Sequence, residues 1–261
     1  MRPKVMVIGI DGVRLDTLHR APTPNLDAIT STGFLTPVRI RDTNPTISGP
    51  CWATIATGVH ADQHGITGND LTGNRLHQHP CFLARAAAAG HRTYAAAGWL
   101  PLLTEHQGGP IFRAHDHYTP PRPLDSPTGG DAISDNATTT AATTALTTTD
   151  PDIAFIYFGQ TDEVAHHHGT GDQYTRAITN TDTCLGRIRD AVATRTHYHH
   201  EQWTWLVVTD HGHRDGGGHG GNSDLERTAW IAGTGPGLDT NPTGLEHADI
   251  PRLALTPLGI T

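Results

Sequence analysis

The chain has 261 residues, 36% of them hydrophobic, and a formal charge of −8. That length suits one large α/β domain with apolar residues enough for a core, and leaves little room for a second. The acidic balance argues against a nucleic-acid polymer as partner, and no apolar run approaches the ~18 residues of a membrane span.

The opening "MRPKVMVIGIDG" holds one short apolar run, without the long apolar region and small-residue cleavage site of a signal peptide. Within it "KVMVIGI" (4–10) is continuous, β-branched and apolar, which predicts a buried strand of a parallel sheet. "TPNLDAITSTG" (23–33) predicts a helix with proline near its start and Gly33 at its end. "SGPCWATIATG" (48–58) predicts a second, with Pro50 tolerated in its first turn. "HPCFLARAAAAG" (79–90) predicts a third, and "RTYAAAGW" (92–99) a weak strand.

Residues 100–150 are a candidate peripheral insertion. Within them 118–130 is loop by its Pro and Gly content, and the Ala/Thr-rich 131–150 favours helix over linker. "DIAFIYFG" (152–159) and "WTWLVVTD" (203–210) predict buried strands, and "RTAWIAG" (227–233) another. Apolar residues at helical spacing mark 173–194, and 248–260 predicts a closing helix. Strands alternating with helices point to an α/β fold: a mostly parallel central sheet with helices on both faces, in a single domain over residues 1–261. Three cysteines, Cys51, Cys81 and Cys184, are odd in number and lack paired spacing, which fits reduced thiols in a cytoplasmic protein.

Several strands end in side chains able to bind a cation. Asp11 follows the first, Asp162 the strand at 152–159, and Asp210-His211 the strand at 203–209. In open α/β sheets ligands bind beyond the carboxyl ends of strands, so separate segments would deliver donors to one rim. Asp162 and His166, four apart, share a face on a helical turn. His219, isolated in "GGGHGG", sits where backbone can approach a ligand closely. The chain holds nineteen histidines, so chance is the competing explanation. An exposed histidine patch is the alternative for His166, and a solvated loop histidine for His219. His167 and His168 are assigned to the surface, and His213 and Asp215 to the lining of the site.

The donors sort into two sets. Asp162, His166 and His219 could hold one divalent ion. Asp11, Asp210 and His211 could hold another, with Ser48 completing the shell. Mixed Asp/His sets with an open position suit zinc, with manganese acceptable. Two dications are offset by three aspartates and a serine alkoxide, so an incoming phosphate would not meet a strongly negative pocket. Coordination would lower the pKa of the Ser48 hydroxyl and remove the need for a neighbouring base. The helix starting there would offer free N–H groups and a positive dipole end to an anion. The alternative is that Ser48 only caps that helix.

The pieces "VIGIDGVR", "TPNLDAI", "NPTISGPCWATIATGVHADQHGI", "QTDEVAHHHG", "VVTDHGH", "GGHGG" and "ADIPRLALTPLGI", in this order along nearly the whole chain, resemble the alkaline phosphatase superfamily. Within it they resemble the nucleotide pyrophosphatase/phosphodiesterase branch. The resemblance implies that Ser48 is the nucleophile, where the branch usually has threonine. It implies two zinc ions on the two donor sets, a covalent phospho-enzyme, and a small phosphorylated substrate such as a nucleotide.

The branch usually places asparagine three residues after the nucleophile, on a phosphate oxygen. Here Cys51 stands there, so that contact falls to Cys51, to backbone N–H groups or to Asn69. The arginine of the sulfatase motif is absent from this run, which disfavours sulfatase. The competing activities are a phosphomonoesterase or phosphonate hydrolase, a phosphosugar mutase, for whose inserted domain there is no room, and a catalytically silent metal-binding relative. Leaving-group specificity falls to loops around 67–80 and 100–130. Trp52, Trp99 and Tyr118 are either stacking platforms or packing residues.

Overall fold

The continuous apolar runs become the middle of one seven-stranded sheet. The structure, a computed structural model, describes residues 1–113, 117–119 and 130–261, and the side chains outside 114–133. The strands are β1 (Arg2–Ile10), β2 (Phe34–Arg39), β3 (Thr93–Ala96), β4 (His117–Thr119), β5 (Ile153–Phe158), β6 (Glu201–Val208) and β7 (Thr228–Thr234). Their spatial order is β2-β7-β6-β1-β5-β3-β4. The run from β6 through β4 is parallel, and β7 and β2 pair antiparallel at the other edge. Register is set with Val5 opposite both Ile153 and Thr204.

Both faces of the middle strands are buried, which is why β1, β5 and β6 read as unbroken apolar runs. Val5, Val7, Phe155, Leu206 and Val208 face one core, packed by the helices Ser48–Thr57, Phe82–Ala88 and Ile250–Leu255. Met6, Ile8, Ile156 and Val207 face the other, under the helices Pro24–Thr30, Gly130–Thr148 and Asp172–Ala193. The fold is therefore α/β with a mostly parallel sheet and helices on both faces. Among the described residues no helix is long and apolar enough to cross a membrane.

Several local expectations need correction or completion. β2 has no counterpart in the sequence reading, because Pro37 and two threonine or arginine positions break its apolar run. Proline is tolerated there since β2 is an edge strand. The alternation of strand and helix fails between β6 and β7, where only the short helix Asp224–Arg227 intervenes and the chain returns antiparallel. The closing segment is not one helix. Ile250–Leu255 is α-helical, flanked by 3₁₀ turns at His247–Asp249 and Thr256–Leu258, and Pro257 cannot donate the next intrahelical bond. The Ala/Thr-rich segment is a helix, with Thr139, Thr140, Thr144 and Thr148 donating to carbonyls one turn back. Its Ala142 and Leu146 are fully buried. The loop expected at 118–130 is corrected at its ends, where 118–119 finish strand β4, which the sequence reading lacks, and Gly130 opens the helix; 120–129 lie outside the described residues.

Candidate metal centre and active site

Neighbouring strands lie about 4.8 Å apart, and β6, β1 and β5 are adjacent and parallel. Their carboxyl ends therefore deliver Asp210 and His211, Asp11, and Asp162 side by side. Asp162 opens the helix Gln160–His168, and His166 lies one turn along the same face, its Nε2 3.4 Å from Asp162 Oδ2. His219 arrives on the glycine-rich loop. Its Nδ1 is 2.8 Å from the Thr46 carbonyl, which turns Nε2 inward to 3.0 Å from His166 Nε2 and 3.4 Å from Asp162 Oδ1.

Asp11 and Asp210 are each held by one oxygen and left bare at the other. Asp11 Oδ2 accepts from Trp52 Nε1 at 2.9 Å and from the Tyr157 hydroxyl at 2.7 Å. Trp52 reaches it only because residue 9 is glycine. A Cβ on Gly9 would sit 2.5 Å from the Trp52 ring. Asp210 Oδ1 accepts from the N–H groups of Gly12 and His211, both at 3.0 Å. Asp11 Oδ1, Asp162 Oδ1 and Asp210 Oδ2 are buried without a hydrogen-bond partner. Buried polar atoms are rarely left so. Three unpartnered carboxylate oxygens among inward-turned imidazoles make a donor set suited to divalent cations. Asp11, Asp210 and His211 each bring one donor atom within 4.8 Å of the others, and so do Asp162, His166 and His219.

The electrostatics agree. Burial, then the charge of Asp162, lifts Asp11 to about 7. Burial, then Asp11, holds Asp210 well above the usual carboxylate range. Burial also opposes ionisation of Asp162, but His166 and His213 against it draw it well below. Burial keeps His211 and His219 below the ordinary histidine value, so both are neutral lone-pair donors.

Ser48 is the first residue of its helix. The cap position belongs to Ile47, whose side chain makes no bond, so the Ser48 hydroxyl is not used as a cap. Its Oγ lies 3.3 Å from His211 Nε2, and that nitrogen is 3.5 Å from Asp11 Oδ1 and 3.2 Å from Asp210 Oδ2. The helix start offers fewer free N–H groups than expected, with that of Ser48 left without a partner among the described residues. Gly49 N donates to Asn69 Oδ1 at 2.9 Å, Pro50 has none, and Cys51 N donates to Ile47 O. The bond to Gly49 fixes the Asn69 amide and leaves its Nδ2 as the available donor.

Cys51 is a correction. It is wholly buried in the core, with its thiol donating to the Pro45 carbonyl at 3.3 Å, and it does not face the cavity. Asn69, from a different segment, lines the cavity instead. That cavity has a volume of about 450 Å³ and also exposes Asp11, Ser48, Trp99, Asp162 and His166.

The remaining candidates separate. His167 is paired at the surface with Glu163, and His168 is exposed. Asp215 is exposed and bonded to Arg14, which anchors its loop. Trp52 is a core residue, Trp99 borders the cavity, and the Tyr118 side chain lies outside the described residues. Gly98, Pro101, His106 and Gln107 also border the cavity, from the segment expected to set specificity. Sequence reasoning missed Tyr157 and Trp52 as anchors of Asp11, and the depth of His213. A tyrosine in a fully apolar strand carries no signal that its hydroxyl is used.

A profile described as type I phosphodiesterase / nucleotide pyrophosphatase matches residues 5–227. Ectonucleotide pyrophosphatase/phosphodiesterase family member 7 of Rattus norvegicus is 23% identical over 229 residues, covering 80% of this chain and 49% of that protein. The Homo sapiens protein of the same name is 24% identical, over 80% and 47%. The chain thus spans about half the length of these curated relatives. Murine ectonucleotide pyrophosphatase / phosphodiesterase 5, solved as an inactive form in complex with AMP, has a TM-score of 0.60 at 23% identity, over 81% of this chain and 57% of that one. A phosphonate monoester hydrolase from Silicibacter pomeroyi has a TM-score of 0.68 at 18% identity, over 100% and 74%. At these identities the solved structures establish a shared fold.

Proposed function

Because the chain belongs to the type I phosphodiesterase / nucleotide pyrophosphatase family of metal-dependent hydrolases, we propose that it cleaves phosphodiester or pyrophosphate bonds through a covalent phospho-Ser48 intermediate. Asp11, Asp210, His211 and Ser48 would hold one divalent ion, and Asp162, His166 and His219 a second, with zinc the best match to the donors. Bound there, the ions would favour the Ser48 alkoxide and neutralise phosphate charge. The observation that carries the reading is the position of Ser48 Oγ: at the edge of the cavity, 3.3 Å from His211, in a donor group where Asp11 Oδ1, Asp162 Oδ1 and Asp210 Oδ2 have no hydrogen-bond partner.

The chain's own residues then do the following. Ser48 Oγ attacks phosphorus as the leaving oxygen departs on the opposite side, forming an O–P ester. Asn69 Nδ2 donates to a non-bridging oxygen, the role for which Cys51 is too deeply placed. Trp52 and Tyr157 hold Asp11 in one rotamer throughout, and the Thr46 carbonyl does the same for His219. Water attacks the same phosphorus in the second step, and the Ser48 oxygen leaves. The substrate is a small phosphorylated molecule, a nucleotide fitting the cavity volume; AMP occupies the related murine structure.

The test is a panel of p-nitrophenyl phosphate, bis-p-nitrophenyl phosphate, p-nitrophenyl phenylphosphonate and dinucleotides, with zinc or manganese and after chelation. Metal-dependent turnover fastest on the diesters supports the reading. Metal-replete protein inert on every member overturns it.

A further inference from the structure

His213 is a buried group that this mechanism does not use. It is fully buried, and neither ring nitrogen has a hydrogen-bond partner. Its Nε2 lies 2.9 Å from Asp162 Oδ1, an ion-pair contact without hydrogen-bond alignment, so each atom lacks any hydrogen-bond partner. Deep in a protein such groups are costly unless something binds them. Asp162, His211 and His213 each bring one donor atom within 4.8 Å of the others. Gly12, at φ +66°, closes over the pair, and a Cβ there would stand 2.5 Å from His213 Nε2 and 2.8 Å from Asp162 Oδ1. Only glycine leaves these two donors accessible.

This set overlaps the two already described. His211 has one nitrogen to give, since its Nδ1 lies against the Gly212 carbonyl at 3.1 Å. It therefore serves either Asp11 and Asp210 or Asp162 and His213. Asp162 has two oxygens, Oδ2 toward His166 and Oδ1 toward His213. Resting on the two-ion reading, we propose that Asp162, His211 and His213 form a third cation locus, between the other two, that takes up the first divalent ion. Filling of the Asp11–Asp210 set then withdraws His211 and moves that ion to His166 and His219. Two imidazoles and one carboxylate are an appropriate set for zinc. The two ions consequently do not bind independently.

The experiment is a zinc titration of metal-free protein against a chromophoric chelator, with ¹⁵N NMR of the histidine rings at one and two equivalents. It compares the wild type with His213→Asn and His213→Ala. In the wild type, the His213 Nε2 resonance should move to a metal-bound position at the first equivalent and return at the second. Either variant should weaken the first ion by about tenfold or more, the scale of losing a metal-supporting group, while still binding two ions at saturation. Unchanged first-ion affinity in a folded variant, or a wild-type His213 resonance unmoved at one equivalent, overturns the locus and leaves the two-ion reading standing. Wild-type protein that binds no zinc overturns both. Should neither variant fold, the wild-type resonance decides alone.

Discussion

Tyr157→Phe removes one oxygen and leaves the ring. Tyr157 is buried in β5, so phenylalanine fills the same space, and the change isolates the hydroxyl that donates to Asp11 Oδ2 at 2.7 Å. A hydrogen bond to a charged group is worth about 1.5–3 kcal/mol, or about 10- to 150-fold in an equilibrium constant. Trp52 keeps its bond to the same oxygen, so Asp11 is loosened and not released. The ion on Asp11, Asp210 and His211 should therefore bind about 10- to 100-fold more weakly. The set Asp162, His166 and His219 loses no anchor, so two ions should still bind at saturation. The hydroxyl also helps keep Asp11 from rising above about 7 in the metal-free protein. Without it the carboxyl binds its proton more tightly, and the pH of half-loading moves upward. Competition with a chelator at several pH values measures both effects. Turnover should fall at limiting zinc and recover in excess zinc. Unaltered affinity and an unaltered pH profile would show that Tyr157 does not position a metal-binding carboxylate.

Ser48→Ala should abolish turnover while elemental analysis still finds the ions, whereas Asp162→Ala should lose one ion per chain. In metal-free protein, Asp11 at about 7 against its ordinary 3.8 disfavours the folded state by about 4 kcal/mol once ionised. Its contribution is intact below pH 3.8 and lost as pH rises through about 7. Asp11→Asn should thus melt higher than metal-free wild type at neutral pH, with the gap closing toward pH 4; a gap independent of pH refutes this. Gly9→Ala should drive Trp52 off Asp11, costing about 1–3 kcal/mol by overpacking. Thermal melting and zinc affinity should fall together, and a loss of stability with zinc affinity unchanged would separate Trp52 from the site.

The middle of the sheet and the donors at its rim were legible because burial on both faces writes itself as uninterrupted apolar sequence. A charged residue ending such a run is conspicuous. The Ser48–Thr57 helix was legible from Pro50 and Gly58, and the pairing of Asp162 with His166 from helical spacing. What stayed hidden was set by partners distant in sequence. β7 runs antiparallel because of what it meets, and its own residues do not encode direction. Asn69 faces the cavity and Cys51 the core because two segments pack, a choice the sequence left open. His213 was hidden by company, one histidine among nineteen, distinguished only by unpartnered nitrogens deep in the protein.

The central strand β1 is flanked by β5 and β6, which follow it by some 150 and 200 residues. At a synthesis rate of about 5–20 residues per second, the first strand waits on the order of 10–40 s before its second neighbour exists. Until then its two edges have no permanent partner, and Asp11 has none of the companions Asp162, Asp210 and His211. Arrest between the two late strands should leave a nascent chain with one edge of β1 unpaired, a template for aggregation.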